Sequence, residues 1–156
     1  MQVRDELVQK WMSTRVVTCP PTAKLPDLYK LMIKYDIRRI PIMTEPETDD
    51  EMPQLLGIVT HGDVRSAEPS TITSLGMWEM RYVAARMTAD KFMTPDPITI
   101  APTATIGEAA RKMLTNKVSG LPVVDGKGQL VGILTESDIF RMVTAYEWQQ
   151  GEVVAV

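Results

Sequence analysis

The chain of 156 residues has few of the residues that form disulfides, metal centres and polyanion-binding surfaces. Its single cysteine, Cys19, cannot form an intrachain disulfide or a cysteine-rich zinc site, and its single histidine, His61, excludes motifs that need a histidine pair. A formal net charge of -3 provides no general attraction for a polyanion. We therefore expect no nucleic-acid partner and no metal.

Long apolar runs are also absent. No run approaches the ~20 residues that cross a bilayer, and the N-terminal residues are too charged for a signal peptide. We expect a cytoplasmic protein without a membrane partner. Since no nucleophile with a base, no pair of catalytic carboxylates and no metal cluster has a convincing spacing, we also predict that the protein is not an enzyme.

What the sequence does contain is an internal repeat. Residues 10–13, Lys-Trp-Met-Ser, align with residues 91–94, Lys-Phe-Met-Thr. Further on, residues 57–63 align with residues 132–138 in the pattern G-I-x-T-x-x-D. The first copy is longer between these two blocks, which indicates an insertion, most simply between Glu45 and Met52. Each copy is a short unit, and so small a unit buries its apolar face poorly alone. We therefore expect the copies to share one core.

Both copies predict the order strand, helix, strand, strand, helix. The short first strands are expected near residues 16–18 and 97–100, and the apolar residues that follow have the spacing of one helical face. Thr105 and Glu108 predict a capping box, and residues 125–128, Asp-Gly-Lys-Gly, predict a hairpin turn. We divide the chain into residues 7–66, a helical connector at 67–87, and residues 88–147.

The two G-I-x-T-x-x-D segments are the candidate functional motifs, because each lies at the step from a strand into a helix. The start of a helix presents free N–H groups to an anion, and an ionised aspartate can accept hydrogen bonds from the hydroxyls of a ribose. The pairs Thr60/Asp63 and Thr135/Asp138 also fit a capping box, in which they satisfy only the donors of their own helix. The motif alone leaves both interpretations open.

The whole repeated pattern strongly resembles a tandem pair of CBS domains, also called a Bateman module. The resemblance rests on K-x-M-[ST], T-x-x-P-T-A before the helix, the Ile-Pro or Leu-Pro strand and G-I-x-T-x-x-D, and it covers roughly residues 7–66 and 88–147. It implies an α/β (α+β) fold of two β-α-β-β-α units with pseudo-two-fold symmetry, packed through their sheets. It also implies two clefts that bind AMP, ADP, ATP or S-adenosylmethionine, and a homodimer.

The resemblance assigns roles to individual residues. Asp63 and Asp138 would hold ribose hydroxyls, and Thr60 and Thr135 would face the ribose or phosphate. The base would be bordered by Val17, Ile37 and Ile40 in one cleft and by Ile98, Val118 and Leu121 in the other, with Ser13 and Thr94 beside the ligand.

The two copies differ in the residues before the second strand. The second copy has Lys117, Ser119 and Gly120, where small residues leave room for a ligand and Lys117 can meet a phosphate. At the corresponding positions the first copy has Asp36, Arg38 and Arg39. The two arginines are phosphate candidates, although a solvated strand entry or a subunit contact explains them as well. Arg65 and Arg141, just after each motif, are comparable phosphate candidates, with an ordinary helix surface as the alternative.

We therefore predict a regulatory module that binds an adenosyl ligand between its repeats and signals to a partner not named by the sequence, with no other cofactor. The alternative is a structural or dimerisation module without a nucleotide. A piece of a larger enzyme or transporter is disfavoured, since Met1 precedes a predicted first helix and no catalytic domain is seen.

Overall fold

The computed structural model describes residues 5–67 and 76–150. In chain order, the helices and strands are α1 (Val8–Trp11), α2 (Leu25–Tyr35), β1 (Arg39–Met43), β2 (Leu55–Thr60), α3 (His61–Ala67), α4 (Met77–Arg86), α5 (Ala89–Phe92), β3 (Thr94–Pro95), α6 (Ile106–Asn116), β4 (Gly120–Val124), β5 (Leu130–Thr135) and α7 (Glu136–Gln150).

These elements form two compact units that differ from the sequence repeats in one respect. The first-repeat unit is Val16–Pro97, and the second-repeat unit combines the chain up to Arg15 with the chain from Ile98 onwards. The leading K-x-M-[ST] segment of each copy therefore belongs to the unit of the other copy. The boundaries 7–66, 67–87 and 88–147 divide the sequence and stay a prediction, and residues 68–75 of the connector lie outside the described residues.

Each unit is built on an antiparallel hairpin followed by a helix. In the first-repeat unit β1 pairs with β2, which places Arg39 opposite Thr60. In the second-repeat unit β4 pairs with β5, which places Gly120 opposite Thr135. Each hairpin leads directly into a helix, α3 or α7. The predicted mixed α/β class with two similar units is confirmed.

The predicted first strands are much shorter than expected. Each consists of a single residue, Cys19 or Ile100, that forms a parallel bridge with β1 or β4. Cys19 N donates to Pro41 O at 3.1 Å, and Ile100 N donates to Pro122 O at 3.0 Å. Successive residues of a strand face opposite edges, so the next residue able to pair with β1 after Cys19 is Pro21. Because Pro21 lacks an N–H group, the first copy cannot extend this pairing towards Thr22.

The local predictions in the second copy are confirmed. Thr105 Oγ1 accepts a hydrogen bond from Glu108 N at 3.1 Å, and Glu108 Oε2 accepts one from Thr105 N at 2.8 Å, which closes the capping box. In the hairpin turn, Asp125 Oδ1 accepts from Lys127 N and Gln129 N, and Gly128 adopts a φ of 80°. Only a residue that tolerates positive φ fits there without strain.

The buried apolar residues form two clusters, one in each unit, and the expectation that the two copies share one core stays a prediction. The first-repeat cluster includes Leu28, Ile42 and Ala89, and the second-repeat cluster includes Val8 and Leu134. Val8 and Ala89 come from the exchanged leading segments, and both are fully buried. The exchanged segments thus contribute buried residues to the cluster of each unit.

The glycine of each G-I-x-T-x-x-D motif allows the exchanged segment to approach the sheet. A Cβ atom on Gly132 would lie 2.5 Å from Met12 Sδ and 3.0 Å from Ser13 O. A Cβ atom on Gly57 would lie 2.5 Å from Met93 Sδ and 2.9 Å from Thr94 O. These distances are shorter than ordinary contacts, so a side chain at either glycine would push the docked segment away from its strand.

A buried carboxylate also fastens the N-terminal segment to the second-repeat unit. Glu6 is 1% exposed, and its carboxylate accepts hydrogen bonds from Trp11 Nε1 at 3.0 Å and from the Tyr146 hydroxyl of α7. Lys10 Nζ lies 2.7 Å from Glu6 Oε2. The hydrogen bond from Lys10, followed by those from Tyr146 and Trp11, lowers the pKa of Glu6 from 4.5 to about 2.

We expect Gly132→Ala and Gly57→Ala each to destabilise the protein by about 1–3 kcal/mol, the usual cost of forcing an extra group into a packed site. The control is Gly126→Ala, because a Cβ atom there would meet no atom within 4 Å. Urea unfolding followed by circular dichroism measures the three variants. If all three unfold at the same urea concentration, the two motif glycines are not needed for docking.

We expect the stabilisation by Glu6 to depend on pH. Because folding lowers the pKa of Glu6, its carboxylate stabilises the folded state above the unfolded pKa of 4.5, and this contribution is lost as pH falls towards about 2. Glu6→Gln should therefore lower the urea midpoint at pH 7 and have a smaller effect near pH 3. Glu45→Gln, at an exposed carboxylate, is the control. An equal loss at both pH values would contradict the assignment.

Candidate functional site

The Thr60/Asp63 pair joins the end of β2 to the first turn of α3. Thr60 donates two hydrogen bonds to Asp63 Oδ2, one from its backbone N and one from Oγ1, both at 2.7 Å. Asp63 N donates to Thr60 Oγ1 at 3.2 Å. The pair therefore has the reciprocal geometry of a capping box.

The Thr135/Asp138 pair joins β5 to α7 in nearly the same way. Asp138 Oδ2 accepts hydrogen bonds from Thr135 N at 2.7 Å and from Thr135 Oγ1 at 2.8 Å. In both copies the threonine hydroxyl thus donates to the aspartate, and one carboxylate oxygen has two donors. Since a carboxylate oxygen has about two acceptor positions, a ligand hydroxyl would meet mainly the other oxygen, Oδ1.

The two aspartates differ in their surroundings. Asp63 is half-buried, whereas Asp138 is 2% exposed. Asp138 Oδ1 accepts no hydrogen bond from the described residues, although Arg141 Nη2 forms an ion pair with it at 3.0 Å. The distance would permit a hydrogen bond, but the guanidinium N–H groups are not directed at Asp138 Oδ1. The contact is therefore an ion pair without a hydrogen bond. A buried oxygen of this kind is expected to have a further partner.

Next to Thr60 lie the residues that lead into β1. His61 N donates to Arg38 O at 2.8 Å, which holds this segment against the start of α3. Arg38 is exposed, and Arg39, opposite Thr60, is half-buried. Directly opposed residues of antiparallel strands present their side chains on the same face, so the Arg39 and Thr60 side chains share one face of the sheet. The first-repeat motif is therefore bordered by cationic residues.

The second-repeat motif has smaller neighbours. Glu136 N donates to Ser119 O at 3.2 Å, the counterpart of the contact between His61 and Arg38, and Gly120 lies buried opposite Thr135. Lys117 ends α6 in the left-handed conformation, with a φ of 55°, and is exposed. Lys117, Ser119 and Gly120 thus lie at the entry to β4, and their role beside a ligand stays a prediction.

The apolar residues predicted to border a base fall into two groups. Val17, Ile37, Ile98 and Val118 are half-buried. Ile40 and Leu121 have no exposed surface and belong to the two cores. These two side chains alternate along their strands with the residues beside the threonines and point into the core. Their contact with a base stays a prediction.

Ser13 and Thr94 are exposed residues on the exchanged segments. Ser13 pairs with Ile133 of β5 through Ser13 N to Ile133 O at 2.9 Å and Ile133 N to Ser13 O at 3.0 Å. Thr94 of β3 pairs with Ile58 of β2. Each therefore lies beside the motif of the copy to which it does not belong in sequence, with Ser13 in the second-repeat unit and Thr94 in the first-repeat unit.

Sequence reasoning missed the contacts between these segments and the motif glycines. The signal was present, because Met12 and Met93 recur at equivalent positions, as do Gly57 and Gly132. Reasoning within one copy could not pair Met12 with Gly132. The buried Glu6 was also missed, since its counterpart in the other copy is Met87 and the repeat gives no signal for it.

The described residues contain neither a metal-binding cluster nor a membrane-spanning helix. In residues 5–67 and 76–150, no three His, Cys, Asp or Glu side chains are grouped so that they could hold a metal ion. Over the same residues, no helix combines the length and the apolar character that a bilayer span requires. His61 instead lies with its ring centroid 6.4 Å from that of Tyr29.

The repeated hairpin, helix and Thr-Asp pair define the class of a tandem α/β repeat protein. A family model described as "CBS domain" matches residues 3–70 and again residues 89–145. The chain belongs to the CBS domain family. A CBS domain-containing protein of Dictyostelium discoideum is 29% identical over 137 residues, which are 88% of this chain and 90% of the relative.

Solved structures of CBS domain pairs have the same fold. The CBS domain pair of protein MJ0100, in complex with 5′-methylthioadenosine and S-adenosyl-L-methionine, has a TM-score of 0.70 at 28% identity, covering 90% of this chain and 97% of that one. The protein CBSX2 in complex with AMP has a TM-score of 0.72 at 23% identity, covering 91% and 98%.

Several curated relatives are much longer than this chain. A homoserine O-acetyltransferase of Methanosalsum zhilinae is 30% identical over 132 residues, which are 85% of this chain and 23% of the relative. The chain therefore spans about a quarter of the length of that relative.

Proposed function

We propose that the protein is a regulatory module that binds an adenosine-containing ligand beside the Thr-Asp pairs and does not itself catalyse a reaction. The observation that carries the proposal is Asp138 Oδ1, a buried carboxylate oxygen that accepts no hydrogen bond from the described residues. Vicinal hydroxyls of a ribose are suitable donors for such an oxygen. The ligands bound by the CBS domain pair of MJ0100 support an adenosyl ligand.

The surroundings of each pair supply the other contacts of the proposed ligand. α7 is a helix of 15 residues, so its first turn presents free N–H groups and a partial positive charge to a phosphate. Lys117 and Arg141 in the second-repeat unit, and Arg38 and Arg39 in the first, are cations that can approach a phosphate. Val17, Ile37, Ile98 and Val118 are the half-buried apolar side chains that remain as candidates for contact with the base.

The competing function is that of a structural module in which the Thr-Asp pairs only cap α3 and α7. The reciprocal hydrogen bonds of Thr60 and Asp63 favour this view, because they satisfy Asp63 Oδ2 without any ligand. In the second-repeat unit, the capping bonds leave Asp138 Oδ1 without a hydrogen bond from the described residues, and that atom is the one a ligand would use. Binding measurements on variants of the two aspartates separate the two functions.

We expect the unaltered protein to bind AMP, ATP or S-adenosylmethionine in calorimetric titrations, and Asp138→Ala or Asp63→Ala to weaken the affected site about 10-fold or more, as expected for loss of a charged hydrogen-bonding group. Asp27→Ala, which removes an exposed carboxylate on α2, is the control. Asp138→Asn and Asp63→Asn preserve the size of the side chain if the alanine variants lose their helix cap. No binding of any of these ligands at millimolar concentration would overturn the proposed function.

The homodimer and the cytoplasmic location stay predictions, and the exposed apolar residues of α6 and α7 support the former. Leu114 is 81% exposed and Phe140 66% exposed, and the two helices pack against each other. Contiguous exposed apolar patches, unlike single exposed apolar residues, are typical of protein interfaces. A second copy of the chain is the partner that the family resemblance implies.

We expect sedimentation velocity to give a dimer for the unaltered protein and a weaker dimer for Leu114→Glu and Phe140→Glu, because burying an unpaired carboxylate is costly. Lys127→Glu, in the hairpin turn between β4 and β5, is the control for the change in charge. If the two apolar variants and the unaltered protein have the same dissociation constant, α6 and α7 do not form the dimer interface.

A further inference from the structure

The ion pair between Asp138 and Arg141 joins a buried anion to a largely exposed cation. The Asp138 side chain is 2% exposed, whereas the Arg141 side chain is 69% exposed and its Nη2 lies 3.0 Å from Asp138 Oδ1. Arg141 lies three residues after Asp138 on α7, the spacing at which side chains meet on a helix. The guanidinium is therefore the cation that neutralises the oxygen left without a hydrogen bond.

Among the residues that the structure describes, this ion pair is found at the second-repeat motif. When the two motifs are aligned, Asp138 corresponds to Asp63 and Arg141 corresponds to Ser66. Ser66 is exposed and carries no charge, and Asp63 forms no ion pair with the residues described in its own unit. The two otherwise similar sites therefore differ in whether a cation on the following helical turn occupies the free carboxylate oxygen.

A ribose that donates its hydroxyls to Asp138 Oδ1 must take over the position that the guanidinium neutralises. The displaced guanidinium then lacks its carboxylate, and its new partner depends on the rest of the ligand. A phosphate offers the planar guanidinium two oxygens in a geometry that favours paired hydrogen bonds. A neutral nucleoside offers no anion, so the lost ion pair is replaced only by contacts with water.

We propose that Arg141 makes the second-repeat site selective for adenosyl ligands that carry a phosphate over neutral nucleosides. This inference rests on the proposed function, since it assumes that Asp138 receives the ribose hydroxyls. The selectivity comes from two effects of one residue. Arg141 opposes every ligand that approaches Asp138 Oδ1, and it compensates only those ligands that bring a phosphate.

The test is the ratio of AMP to adenosine affinity at the second-repeat site. Asp63→Ala is used as the background in all proteins, so that the first-repeat site does not contribute. In this background, Arg141→Ser gives the second copy the residue found in the first. We expect Arg141→Ser to weaken AMP binding about 10-fold, as for loss of one charged hydrogen-bonding group, and to leave adenosine binding equal or stronger.

The control and a second variant guard against a general effect of charge or stability. Lys127→Ser removes a positive charge in the hairpin turn between β4 and β5, which lies at the far end of β5 from Thr135. We expect it to leave the ratio of AMP to adenosine affinity unchanged. Arg141→Lys retains the charge without the planar group and should give an intermediate ratio. Thermal unfolding of each variant shows whether the protein remains folded, and Arg141→Lys carries the test if Arg141→Ser does not.

The outcomes separate the two proposals. A ratio that falls about 10-fold in Arg141→Ser supports the selectivity. Equal weakening of AMP and adenosine, or no change in either, would overturn the role of Arg141 while the proposed function stands. If the Asp63→Ala protein with Arg141 intact binds neither ligand, and the unaltered protein binds neither, the proposed function and this inference are both wrong.

Discussion

The close approach of an exchanged segment to a motif glycine is the constraint on which both units depend. Gly57 and Gly132 leave no room for a Cβ atom, because Met93 or Met12 and the backbone of the following residue occupy that space. This approach lets Ser13 pair with Ile133 and places β3 beside β2. It also brings Val8 and Ala89 into the two cores, where each is fully buried. Without it, each hairpin would lose an edge partner and each core would lose a buried apolar group.

The same strand that carries the glycine also ends in the threonine of the Thr-Asp pair, so packing and chemistry are linked through a short stretch of backbone. The threonine fixes one oxygen of the aspartate, and the other remains for a further partner. Capping and ligand binding therefore need not exclude each other. A carboxylate held by its own helix start is already oriented, which reduces the conformational entropy that a ligand would have to overcome. The capping bonds that argue for a structural role also prepare the proposed site.

The sequence predicts much of this architecture because the same local patterns occur in both copies of the repeat. The amphipathic helices, the capping box at Thr105 and the turn at Asp125 follow from local patterns, and the structure contains them. The single bridges at Cys19 and Ile100 and the membership of the two core clusters do not follow, because they depend on tertiary pairing and on which unit a segment joins. The predicted contact of Ile40 and Leu121 with a base came from the family resemblance, which does not say how deeply each side chain is buried. Alternation along a strand gives two faces, and the sequence alone does not say which face the core occupies.

The exchange of leading segments means that neither repeat contains all the pieces of its own folded unit. Residues 16–67 lack the β3 partner of β2, and residues 98–150 lack both the Ser13 partner of β5 and the Val8 side chain of their own core. In the intact chain these pieces are tethered, so their effective concentration is set by the linker and not by the amount of protein. A repeat separated from its tether would have to obtain its missing segment from another molecule. The covalent order of the two copies thus substitutes for an intermolecular equilibrium.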